Sequence, residues 1–257
     1  MINGIVQWLL DPAHWQGSSG IPTRIAEHLG YAVLSLVLAA LVAVPLGIYV
    51  GHTGRGKWAV SVANSLRAVP SLGLLFAMAM WVGPKIANNL AYVIPSVAVL
   101  VLLAVPPMLS GTYSGISEVD PAARDAAKGM GMTGSEVLRR VELPCALPLL
   151  LSGVRSATLQ VIATATIAAS ISLGGLGRYL IDGLAVSDYA QMAAGALLVA
   201  ALALVVDGLL SLVQRAVVSP GLTGKFTGNT VVDLTGAGNA DAATPADRAV
   251  DKKRELV

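Results

Sequence analysis

The sequence is poor in the residues from which most active sites are built. A single cysteine, Cys145, excludes an internal disulfide or thiolate metal site, and three scattered histidines (His14, His28, His52) leave little for zinc or imidazole chemistry. Charged residues make up only 12% of the 257 and hydrophobic ones 55%, against roughly 25% and 45–50% in soluble domains. Aromatic bulk is missing too, with two Phe in the whole chain. Leu, Ala, Val and 27 glycines instead suit helices packed against one another in lipid. The net charge of +2 gives no reason to expect a nucleic-acid partner, and no solenoid-type repeat is visible. Long apolar runs are what remain, and they predict an all-α protein of the lipid bilayer.

A spanning helix needs about 20 mostly apolar residues. Five stretches qualify, at about 28–50, 58–82, 91–114, 146–171 and 189–213. The second contains Arg67 and Pro70 and is expected to kink there or break in two. Trp and Tyr favour the membrane interfaces, and Trp58/Trp81 and Tyr92/Tyr113 are spaced by about 34 and 31 Å of helix.

Basic residues set the sidedness. Twelve of the 17 fall after span one (Arg55, Lys57), between spans three and four (Arg124, Lys128, Arg139, Arg140) or beyond span five. Only Arg24, Lys85 and Arg178 lie on the other side. The expectation is an outside amino terminus with a cytoplasmic third loop and tail. Residues 1–26 read as an extracytoplasmic segment with Trp8, Leu9, Leu10 and Trp15 along the outer interface. The first 23 residues lack both a basic residue and an adequate apolar run, so no cleaved signal peptide is expected. Residues 27–215 form the transmembrane domain, and the polar stretch 216–257 reads as a disordered cytoplasmic tail.

Residues 115–145 form the one long internal loop. Asp120 caps a helix that starts at Pro121. Ala122, Ala123, Ala126 and Ala127 lay two rows of small residues along it, and Gly129 and Gly131 stop it. Thr133 and Glu136 form a capping box for a second helix, with Val137, Leu138 and Val141 on one side and Leu143-Pro144 at its end. A small-residue surface with a charged perimeter (Arg124, Asp125, Lys128, Arg139, Arg140) suits a docking protein. A connector packed on its own bundle is the other reading.

The pattern Asp125-Ala126-Ala127, three residues, Gly131, nine residues, Val141, one residue, Leu143-Pro144 resembles the EAA motif of ATP-binding-cassette importer permeases. It matches every spacing and differs by Asp for Glu and Val for Ile. The run Asn64-Ser-Leu-Arg-Ala-Val-Pro-Ser-Leu is similar to a segment of glycine betaine, carnitine and choline permeases, as are Ala163–Ala169 and Leu173-Gly-Gly-Leu-Gly177. The resemblance implies a type I importer permease (MetI-like) fold of five spans in a bacterial plasma membrane. It implies that the loop is a coupling helix for two cytoplasmic ATPase subunits. It further implies a second permease copy or paralogue and an extracytoplasmic solute-binding protein. ATP then belongs to the partners: this chain has no Gly-x-x-x-x-Gly-Lys-Ser/Thr loop and is expected to bind no cofactor and catalyse no reaction.

Ionisable groups inside spans cost about 2.5–3.5 kcal/mol on insertion scales and ask for a reason. Asn64, Arg67, Pro70 and Ser71 either line the translocation path, or Arg67 bonds carbonyls freed by its own kinked helix. Arg155 reads as structural, with Asp207 placed to pair with it or with a neighbouring subunit. Pro106-Pro107 is expected to break span three as a hinge or a static kink. Cys145 reads as a small filler. The spans hold few aromatics for a cation cage, chiefly Tyr31, Tyr49, Phe76, Tyr92 and Tyr113, so cargo selection is expected mainly on the capture protein. Methionine, phosphonate or sulfonate remain alternative cargoes. An ion-coupled secondary transporter would need coupling carboxylates beyond Asp207 or inverted repeats. An intramembrane enzyme would need a His or paired Asp constellation, and the spans are read as containing no His.

Overall fold

A computed structural model describes residues 2–86 and 88–218. Most of the expected tail, from residue 219 on, lies outside the described residues. Among those described, every regular element is helical. The order is α1 (Ile2–Leu10), a short 3-10 turn, α2 (Ile21–Thr53), α3 (Lys57–Ser65) with a 3-10 turn (Leu66–Ala68), α4 (Ser71–Val82) and α5 (Leu90–Ser117). Then come α6 (Pro121–Gly129), α7 (Gly134–Val137), a π turn (Leu138–Glu142), α8 (Leu143–Ala168), α9 (Gly177–Ala185) and α10 (Tyr189–Val217). Four helical runs are long and apolar enough to cross a membrane: α2, α5, the continuous stretch Gly134–Ile171, and α10. A fifth crossing exists if Lys57–Ala68 and Ser71–Lys85 count as one broken span.

That pair bends by 93°. Pro70 explains the corner: it has no N–H to donate and disfavours helix in the residue before it, and Val69 is indeed extended (φ −74°, ψ 127°). The straight 34 Å separation expected for Trp58 and Trp81 therefore fails, since they sit on different arms. Span three shows the opposite outcome. Pro106 and Pro107 lie buried inside an unbroken α5 and do not break it. Each removes a single helix bond, and dense packing against neighbouring helices holds the rest in place.

Leu143-Pro144 likewise does not end the second loop helix. Pro144 cannot donate to the carbonyl of Arg140, and the chain accommodates this through the π turn, with the Leu143 N–H bonding the Leu138 carbonyl. Loop and span four are thus one continuous helix.

The helix α5 is the centre of the bundle, and small residues let its neighbours approach. A Cβ placed on Gly47 or Gly51 of α2 would lie 2.7 or 2.8 Å from Thr112 or Ile116 of α5. On the other side, one on Gly111 would lie 2.7 Å from the Gly153 Cα, and one on Gly115 2.8 Å from the Ala146 carbonyl oxygen. Both α2 and α5 carry a Gly-x-x-x-Gly pair, the spacing that brings helix backbones together in lipid. Ala39, Ala43, Leu100, Ala104, Met108, Ala157 and Val161 fill the core around these crossings. By contrast α10 presents exposed Leu197, Leu204, Leu209 and Leu212, a surface suited to lipid.

Two further expectations change. His28 is buried within α2, its Nε2 3.1 Å from the Ile162 carbonyl oxygen, so a histidine does lie inside a span. Trp8 is buried rather than interfacial: it stacks on His14 at 4.0 Å and meets Tyr179 edge-on at 5.1 Å. Tyr179 in turn donates to the Ser19 carbonyl at 2.6 Å, and burial pushes its phenol above the ordinary value, keeping it a donor. Leu10 and Trp15 remain exposed.

The glycine crossings yield a paired prediction. Gly153→Val places its Cβ against the Pro107 carbonyl, 2.7 Å away, and overpacking of this kind costs about 1–3 kcal/mol. Gly208→Ala meets open space. The first variant should lower the unfolding temperature of the purified protein in detergent and the second should not; equal effects would show that the α5–α8 approach is not limiting.

Candidate functional site

The loop between α5 and α8 is built by local rules. The Asp120 side chain accepts the Ala122 N–H at 2.9 Å, and Pro121 opens α6. At the other end Gly131 takes a left-handed φ of +84°, which lets its N–H reach the Lys128 carbonyl and that of Met132 the Ala127 carbonyl. This closes the helix in a Schellman motif, and the conformation favours glycine. Thr133 and Glu136 then form the capping box: the Thr133 N–H and hydroxyl both donate to Glu136 Oε2 at 2.9 Å.

The motif residues do not share one face. Asp125, Ala126 and Gly131 are exposed, with Ala122, Ala123 and Met130 beside them, whereas Ala127 is buried against the bundle. Val141 and Leu143 are half-buried and Pro144 is exposed on the continuous helix. Arg124 leaves the expected perimeter and turns inward, because carbonyls at the end of α5 and a buried carboxylate await it there. One of its terminal nitrogens donates to the Ile116 carbonyl.

That carboxylate is Glu142, only 2% exposed. Its Oε2 lies 2.6 Å from His52 Nδ1 at the end of α2, and its Oε1 2.9 Å from Arg124 Nε of α6. The Arg124 contact is an ion pair by distance without the alignment of a hydrogen bond; the aligned bond of that side chain is the one to Ile116. Glu142 itself belongs to the π turn, so one side chain joins α2, α6 and the root of α8. Neither His52 nor Glu142 stands out in the sequence, since they are ninety residues apart and Glu142 reads as one more charge after Arg139-Arg140.

Along one side of the bundle, the α3–α4 corner, α5 and α8 line a half-open cavity of about 600 Å³. Arg67 and Ser71 line it from the corner, Pro107 from α5, and Ser156 and Gln160 from α8. A smaller cavity of about 260 Å³ shares Arg67, Pro107 and Ser156 and adds Ser110, Ser114 and Ser152. Asn64 accepts the Ser110 hydroxyl at 3.0 Å, joining α3 to this face. The structure thus brings together Asn64, Arg67 and Ser71; Pro70 makes their corner, and Pro106 is buried behind its neighbour. Ser152, Ser156 and Gln160 carry no sequence signal beyond a spacing of four, which places them on one face of α8.

Arg155 points elsewhere, to Asp207 of α10, in a two-pronged pair whose outer bond is 2.5 Å. It neutralises two charges that would each be costly in a span alone. At the end of the bundle away from the loop, Glu27 accepts the Gly175 N–H at 2.8 Å and pairs with Arg24 at 2.8 Å, which fixes the Leu173–Gly177 turn over the start of α2.

A helical bundle with a folded loop and a half-open cavity does not by itself fix a function, and the relatives of the chain supply the family. Residues 43–219 match the family model for the binding-protein-dependent transport system inner membrane component. The chain belongs to that family. It is 35% identical over 204 residues to the glycine betaine/carnitine/choline transport system permease protein OpuCB of Bacillus subtilis (strain 168), covering 78% of this chain and 90% of that one. It is 33% identical over 221 residues to the osmoprotectant import permease protein OsmW of Salmonella typhimurium, covering 84% and 98%. Its fold is similar to that of the MetNI methionine ABC transporter in an inward-facing conformation, with a TM-score of 0.66 at 19% identity over 77% of this chain and 96% of that one. This permease is therefore an all-α, multi-pass membrane protein of the type I importer class.

Removing the Glu142 carboxylate should free the permease's loop from its root. Glu142→Ala is expected to speed amide hydrogen exchange across residues 121–132 relative to α5, measured in detergent or nanodiscs. Unchanged exchange would mean that packing of Ala127 and Val137 alone seats the loop.

Proposed function

We propose that this permease forms the membrane path of an ATP-driven importer for a small quaternary-ammonium osmoprotectant such as glycine betaine, carnitine or choline. The observation that carries the reading is its 35% identity to a permease of that description over nine-tenths of the relative's length, joined to a folded loop that exposes Asp125, Ala126 and Gly131. Two cytoplasmic ATPase subunits dock on this loop, one per permease. The basic residues around it favour the cytoplasmic side, which puts the amino terminus outside. Cargo arrives from an extracytoplasmic binding protein, and ATP is bound only by the partners.

A second permease, identical or paralogous, completes the path. Arg67, Ser156 and Gln160 are exposed in the single copy, so a facing wall is needed to shut the cavity from lipid. Nucleotide-driven closure of the ATPases shifts α6; Glu142 carries the shift to α2 and α8, and the cavity alternates between the two sides. Nucleotide supplies the driving energy, and the permease supplies two packings of similar stability.

Gly131→Asp tests the docking assignment. It puts charge and bulk on the exposed surface while keeping a residue type that tolerates left-handed backbone. Normal amounts in the membrane with abolished uptake of labelled glycine betaine are expected, and Gly131→Asn, without the charge, should retain more uptake. Wild-type uptake by Gly131→Asp would count against docking here.

A further inference from the structure

Substrate recognition in the membrane is decided by which groups line the cavity. We propose that the cavity at the α3–α4 corner is a binding site for the carboxylate of the transported solute, so that the path favours zwitterions over bare quaternary-ammonium cations. The proposal rests on the osmoprotectant reading above.

Recognition of a quaternary ammonium needs aromatic faces or carboxylates. Among the described residues lining this cavity there is neither. The one charged side chain is Arg67, and the groups around it that can hydrogen-bond are Ser71, Ser156 and Gln160. A cation without a carboxylate meets only repulsion from the guanidinium. A zwitterion instead offers its carboxylate to a planar fork of donors that matches it, and its methyl groups can rest on Val69 and Leu159.

Among the described residues, no carboxylate pairs with Arg67. The other arginine of the membrane interior, Arg155, is neutralised by Asp207. Arg67 is exposed on the 3-10 turn ahead of Pro70. The corner adds to the same charge preference: the first backward bond of α4 runs from the Leu74 N–H to the Pro70 carbonyl, so the N–H groups of Ser71, Leu72 and Gly73 precede the helical ladder beside the cavity. Glycine betaine and carnitine carry a carboxylate, whereas choline does not. The cavity thus adds a second selection to that of the binding protein, acting on the opposite end of the solute from a cation cage.

The test uses the complete transporter (permease, ATPases and binding protein) in proteoliposomes at matched permease content. Uptake of glycine betaine and of choline is measured, each normalised to wild type so that the binding protein's own preference cancels. Arg67→Gln should lower the betaine-to-choline uptake ratio by about tenfold or more, the size expected for losing charge-assisted hydrogen bonds, and Arg67→Lys, which keeps the charge but loses the fork, should fall between Gln and wild type. Arg67→Ser substitutes if the Gln variant does not accumulate. An unchanged ratio, or equal loss of both uptakes, overturns the carboxylate site, as does a wild-type transporter that carries choline and not betaine. A wild-type transporter that carries no quaternary-ammonium solute overturns the osmoprotectant reading itself, and this proposal with it.

Discussion

Everything in this bundle depends on how closely α5 can be approached from both sides. Lipid tails are as apolar as the helices, so burial of apolar surface does not drive the helices together as it would in water; van der Waals contact at short range has to do it. Gly47 and Gly51 admit α5 to α2, and Gly111, Gly115 and Gly153 admit it to α8. The scarcity of aromatic residues belongs to the same constraint, since large rings at these crossings would push the backbones apart. With three helices locked at backbone distance, the bundle acts as a stiff frame to which the remaining elements attach.

The attachments are polar and few, which makes them specific. Glu142 ties the loop to the frame at one end, and Glu27 ties the Leu173–Gly177 turn to it at the other. Between them the Arg155–Asp207 pair fastens α10. Each joins elements distant in sequence, and together they leave the loop's outer face and the cavity face exposed.

Local rules made much of this readable. Asp120-Pro121, Gly131 and the Thr133-x-x-Glu136 box marked the loop helices because capping depends on neighbours only a few residues away. Pro70 marked a corner for the same reason, though not the size of its turn, 93°. Pro106-Pro107 and Leu143-Pro144 misled because a proline's effect is set by the packing around it. Arg124, His52 and Glu142 were invisible as a group, since nothing local announces a contact across ninety residues. The serines of α8 were overlooked because a hydroxyl in a span can satisfy itself on its own helix, as Thr158 and Thr166 do.

The π turn at Leu138–Glu142 has a rotational consequence. A helix advances about 100° per residue, and a π turn holds one residue more than the α-helical count. The segment bearing Val137 and the segment bearing Ser156 are therefore phased by that one extra residue. If the turn relaxed to ordinary helix, the two segments would swing by about 100° relative to each other, turning Glu142 out of its clasp or the serine column away from the cavity. The angular alignment of the loop end with the serine-bearing wall is stored in five residues.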